Sequence, residues 1–84
     1  MHRMLESVSR ESMLTLAELC GHGRRRELVQ WRRIAAYLAV THLGASAAET
    51  GRLIGLTTST VLVAVAAGPR LLGEMGLRAE ALIG

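Results

Sequence analysis

Arg24, Arg25, Arg26, Arg32 and Arg33 place five of the chain's ten cationic side chains within ten residues, just ahead of an apolar run. Guanidinium groups suit one chemistry above others: they are planar, permanently charged forks that bind phosphate oxygens in pairs. At a loop and a helix start they act together with backbone N–H groups that have no partner inside the helix. The plainer reading of the same cluster is a solvated basic face that keeps the protein soluble. A second polar group, Thr57-Thr58-Ser59-Thr60, offers four consecutive hydroxyls able to bond phosphates or base edges. Cys20-Gly21-His22 carries metal-ligand atoms, but structural zinc takes four ligands and the other histidines are only His2 and His42. No metal or cofactor is expected, and Cys20 reads as a half-buried thiol at a helix end.

These groups need a scaffold, and length and composition limit what it can be. Eighty-four residues make one small domain, 1–84, too short for a sizeable catalytic cleft. Half of the residues are hydrophobic, yet there is no Phe, one Trp and one Tyr, so the core is built from Leu, Ile, Val, Ala and Met. That composition favours packed helices. All basic residues are Arg and all acidic residues Glu, with a net charge of +3 and a pI near 10.5, a balance that fits an anionic partner. A single cysteine excludes an intramolecular disulfide and points to a cytoplasmic setting. The longest charge-free run, between Arg52 and Arg70, is interrupted by glycines, hydroxyl residues and Pro69, so neither a membrane span nor a signal peptide is expected.

Periodicity supplies the elements. Met4, Leu5 and Val8 fall at helical spacing within His2 to Ser12, and Thr15 with Glu18 three residues on predicts the capped start of a short helix stopped by Gly21 and Gly23. Leu28, Trp31, Ile34, Ala35, Leu38 and then His42 or Val40 form the buried stripe of a longer helix from Arg26 to His42, ended by Gly44. Packing accounts for Trp31 and Tyr37 better than base stacking does. Ser46 and Glu49 predict a second capping box, opening a helix that Gly55 ends. The Thr57 to Ala67 stretch is β-branched enough for a strand, but a lone strand cannot satisfy its backbone. It reads instead as a helix capped by Thr57 or Thr58 and closed by Gly68-Pro69. Residues 70–84, with three glycines between Gly73 and Gly84, are expected to form a frayed tail helix.

Two short helices joined at Gly55-Leu56-Thr57 predict a helix-turn-helix, with Gly51 leaving room for the helices to cross and Ile54, Leu56, Val61 and Ala64 facing inward. The fold class expected is all-α: a small helical bundle containing that motif.

The arginine-rich loop, Arg32-Arg33-Ile34-Ala35-Ala36-Tyr37-Leu38-Ala39, Ser46-Ala47-Ala48-Glu49-Thr50-Gly51-Arg52, Gly55 and Ser59-Thr60-Val61-Leu62-Val63-Ala64 together resemble the C-terminal DNA-binding domain of DnaA replication initiators. They are also similar to the DnaA-related domain that ends some REP-associated tyrosine transposases. Leu5-Glu6-Ser7-Val8 and Leu16-Ala17-Glu18-Leu19 are similar to the two short helices ahead of the family's basic loop. The resemblance implies a bacterial, nucleoid-located binder of double-stranded DNA with a TrpR/DnaA-type bundle, a module or fragment of a longer protein. It implies that Arg24 matches a minor-groove arginine and Arg32 a phosphate contact, while the helix-turn-helix enters the major groove.

The chain departs from the family where initiators carry Asp-His-Thr-Thr; here those positions hold Thr57, Thr58, Ser59 and Thr60, after a loop one residue shorter. The initiators' specific box reading is therefore not expected. Leu62, Val63 and Ala66, which should face the groove, carry no charge and no hydrogen-bonding group. That face raises the alternative of a degenerate helix-turn-helix serving as a protein interaction module or a homo-oligomer surface. An enzyme is not expected, because no Ser, His and carboxylate fall into a catalytic set.

Overall fold

The computed structural model describes residues 2–20 and 26–83. Six α-helices account for most of them: α1 His2–Ser12, α2 Leu16–Leu19, α3 Arg26–Tyr37, α4 Ala47–Ile54, α5 Thr58–Glu74 and α6 Ala79–Ile83. No strand occurs among the described residues, and the chain is an all-α bundle. The buried stripe of α1 is Met4, Leu5 and Val8, and that of α3 includes Leu28, Trp31, Ile34 and Ala35. Both are the positions that three- and four-residue spacing selects. α5 packs most extensively on α3 and next on α4, while α1 rests against α3 and α6. The core is aliphatic apart from Trp31, and its alanines 35, 36, 39 and 64 let helix axes approach closely.

Local hydrogen bonds set the helix starts. Thr15 Oγ1 accepts from the Glu18 N–H at 3.0 Å while Glu18 Oε1 accepts from the Thr15 N–H at 3.1 Å, a complete capping box for α2. Ser46 Oγ accepts from the Glu49 N–H at 3.0 Å and opens α4; here the cap runs in that direction alone. Thr57, and not Thr58, caps α5.

The structure corrects three expectations. Gly68-Pro69 does not close the fifth helix, which runs on to Glu74. Pro69 is exposed and leaves only the Val65 carbonyl without its helical donor, while Leu71 and Leu72 beyond it are buried. Gly68 carries no Cβ for the proline ring to meet, which removes much of the usual objection to helix before proline. The second concerns the tail, which over the described residues 70–83 is not one frayed helix: Leu71, Leu72 and Leu82 are all in the core and α6 packs on α1. The third lies after Tyr37, where α3 widens into a π-helical turn, Leu38–His42, closed by the Leu43 N–H on the Leu38 carbonyl at 3.1 Å. Leu38 and Ala39 are buried there, Val40 is half-buried and His42 is exposed, so Val40 continues the stripe.

Met13 follows α1 with φ +62° and a side chain 90% exposed. An L-residue in this left-handed region bears a steric cost that glycine avoids and asparagine reduces, and Met13 recovers nothing by burial. Met13→Asn is expected to stabilise the domain by about 1 kcal/mol, read as a rise in Tm of roughly 5 °C in thermal unfolding.

Candidate nucleic-acid interface

The pair α4–α5 meets at 101°. Gly55 ends α4 at φ +80°, and the Leu56 N–H reaches back to the Gly51 carbonyl at 2.8 Å, a glycine-dependent stop of the Schellman kind. Two residues later Thr57 Oγ1 accepts from the Thr60 N–H at 3.1 Å and donates to Thr60 Oγ1 at 2.8 Å. Ile54, Val61 and Ala64 are fully buried beneath the turn, with Leu56 half-buried beside them. Gly51 makes room here, but for the turn's own backbone: a Cβ at this position would fall 2.5 Å from the Leu56 carbonyl oxygen.

A right-angled helix pair with a glycine-stopped first helix and a threonine-capped second helix is the geometry of a helix-turn-helix. Residues 1–67 match the family described as "Bacterial dnaA protein helix-turn-helix". The chain belongs to the bacterial DnaA helix-turn-helix family. It is also 43% identical over 81 residues to a protein named "Chromosomal replication initiator protein DnaA" from Thermomicrobium roseum. That similarity covers 94% of this chain and 17% of the relative, so the chain spans about a sixth of the relative's length. No solved structure matches the chain.

Within this DnaA-family motif the hydroxyl cluster divides in two. Thr57 and Thr60 are engaged in the cap, whereas Thr58 and Ser59 are exposed at the start of α5 with no side-chain hydrogen bond among the described residues. Leu62 and Val63 follow on the outer face, 57% and 58% exposed, and Ala66 is exposed one turn on. The helix thus presents a polar tip and an apolar shaft.

The arginine cluster divides as well. Arg24 and Arg25 lie outside the described residues. Arg26 is exposed at the first turn of α3, and Arg33 is half-buried. Arg32 requires a correction. It is 4% exposed, donating from Nε to the Leu19 carbonyl and from Nη2 to the Glu18 carbonyl, both at 2.8 Å. Its guanidinium caps the C-terminal end of α2 and offers almost no surface to a phosphate. Sequence spacing puts Arg32 beside Arg33 but cannot say which of the two turns inward against α2.

Arg70 is a residue the sequence reading did not select. It stands one turn beyond Ala66 on α5, exposed, and with Val63, Ala66 and Ala67 lines an open depression of about 410 Å³. The signal was the spacing of 63, 66 and 70, visible only if the helix is allowed to pass through Pro69. Burial pushes the Cys20 thiol up from its ordinary value, with the nearby Arg32 charge pulling the other way.

Proposed function

We propose that the domain binds double-stranded DNA, placing α5 in the major groove and the basic segment from Arg24 to Arg26 on neighbouring phosphates. The observation that carries this reading is the exposed Thr58-Ser59 tip, whose side chains make no hydrogen bond among the described residues, on the second helix of a DnaA-family helix-turn-helix. Hydroxyls and N–H groups at a helix start bond phosphates and base edges alike. Arg26, Arg52 and Arg70, all exposed, supply positive charge along the motif. The domain acts by binding and not by catalysis, in the bacterial cytoplasm at the nucleoid. Its relative is named a chromosomal replication initiator, which favours an initiator-like parent protein; a transposase-type parent is the other context.

Duplex affinity should fall steeply with salt, the slope of log K against log salt being about 0.9 per phosphate neutralised. Arg24→Ala, Arg25→Ala and Arg26→Ala should each lower affinity on every sequence and reduce that slope by about 1. Titration of a random duplex by fluorescence anisotropy measures both. Complete absence of binding at low ionic strength would leave the second reading, which the exposure of Leu62 and Val63 favours: an interaction module whose α5 face meets another protein or a second copy. A monomer in sedimentation equilibrium would remove the self-pairing form of that reading.

A further inference from the structure

We propose that the outer face of α5 from Leu62 to Arg70 docks an amphipathic helix of another protein, one that carries an apolar anchor with a carboxylate a turn away, and that this partner and DNA exclude each other. The docking stands apart from the DNA-binding reading; the exclusion rests on it. Val63, Ala66, Ala67 and Arg70 line the open depression of about 410 Å³ and stand at positions i, i+3, i+4 and i+7 of one helix. That spacing is the four-residue hole that receives one side chain of a facing helix. Two alanines form its floor, so an anchor of leucine or methionine size can sink between Val63 and the apolar stem of Arg70. Leu62 and Val63 at its edge are 57% and 58% exposed, apolar surface that such a partner removes from water.

Charge selects the occupant. From Thr50 to Gly73 the chain contains Arg52 and Arg70 and no acidic residue, and Arg70 makes no ion pair among the described residues. A carboxylate one turn from the anchor meets that guanidinium as a forked pair at the rim of an apolar contact. A second copy cannot supply it: laid hole on hole, two α5 helices bring two arginines and no carboxylate to the seam. Phosphates can meet Arg70 too, but they bring no apolar group to fill the hole. Val63 lies only about 6 Å along the axis from Ser59, at roughly 1.5 Å per residue, and a docked helix is about 10 Å across. Its bulk therefore takes the space that a duplex needs at Thr58 and Ser59.

The test presents the 84-residue chain with a displayed library of amphipathic helical peptides whose apolar and charged positions are randomised. The selected helices should share a Leu, Ile or Met with a Glu or Asp one turn away. Ala66→Gln, which fills the hole, and Arg70→Glu, which inverts its charge, should each weaken the consensus peptide roughly tenfold or more, with circular dichroism showing both variants folded. A peptide with Lys in place of its acidic residue should lose binding to the wild type and regain it on Arg70→Glu. Added to a complex with random duplex at low salt, the consensus peptide should displace the DNA. No selected helix, selected helices without carboxylates, or affinity indifferent to both variants overturns the docking; so does a wild-type dimer that Val63→Glu dissociates. Simultaneous binding of peptide and duplex overturns the exclusion. A chain that binds peptide and no duplex at low salt overturns the DNA reading and leaves the docking standing.

Discussion

Arg32→Ala should lower the unfolding free energy by about 3 kcal/mol, a quarter or more of the stability of a domain this size. The buried guanidinium supplies two charge-assisted hydrogen bonds to α2, one each to the Leu19 and Glu18 carbonyls. Truncation removes both, leaves the Leu19 carbonyl without this donor in a buried setting, and opens a void where a long side chain lay. Urea unfolding followed by circular dichroism should show the midpoint shift, and Tm should fall by roughly 15 °C. The DNA titration separates this role from a phosphate contact. At a temperature where the variant is folded, its salt slope should equal that of the wild type, whereas Arg26→Ala should show the reverse pattern, with a reduced slope and unchanged stability. A reduced slope for folded Arg32→Ala would mean that the side chain leaves its cap to meet DNA. Arg32→Lys should recover only part of the loss, because an ammonium group cannot match the fork that spans the two carbonyls.

Gly68→Ala should destabilise the domain by about 2 kcal/mol even though the same change in an ordinary helix interior is stabilising. The added Cβ would fall 2.6 Å from Tyr37 Cβ and closer still to the ring atoms Cγ and Cδ1. A χ1 change could swing the ring atoms aside, but Tyr37 Cβ is fixed by the backbone and stays 2.6 Å away, so α3 and α5 must move apart. Pro69 adds a second obstacle, since its ring crowds the Cβ of the residue before it. Gly73 is the internal control. It lies in the same helix with nothing within 4 Å of an added Cβ, and Gly73→Ala should stabilise by about 1 kcal/mol. Opposite signs for one substitution, five residues apart in one helix, would show that the α3–α5 contact and not helix propensity governs position 68. If Gly68→Ala also stabilised, the close approach of the two helices would be wrong.

The helix starts were legible because their causes are local. Thr15 with Glu18, Ser46 with Glu49 and Thr57 with Thr60 each bring a side-chain oxygen to a backbone N–H three residues on, a geometry set within a single turn. The stripes of α1 and α3 were legible for the related reason that a period near 3.6 is a property of one segment. The choice of helix over strand for Thr57 to Ala67 came from the absence of any second strand to pair with.

What failed was decided between segments. Gly68-Pro69 carries the local signature of a helix end, yet Leu71 and Leu72 gain more by burial than the lost hydrogen bond costs, so the helix continues. The same error hid Arg70, whose place on the outer face exists only if the helix does. The fate of the arginines was decided in the same way: Arg32 and Arg33 are chemically equal in the sequence, and the position of α2 makes one of them an internal cap.

By itself, then, the sequence determined the helix starts with their caps, the buried stripes of α1 and α3, and the run of hydroxyl and then apolar residues along α5, all of which depend on residues a few positions apart. Only the tertiary structure decided which arginine is buried, where α5 stops and which glycine is a packing requirement. Those outcomes turn on the distance between Tyr37 and Gly68 and between Leu19 and Arg32, pairs separated in the chain and joined by packing alone.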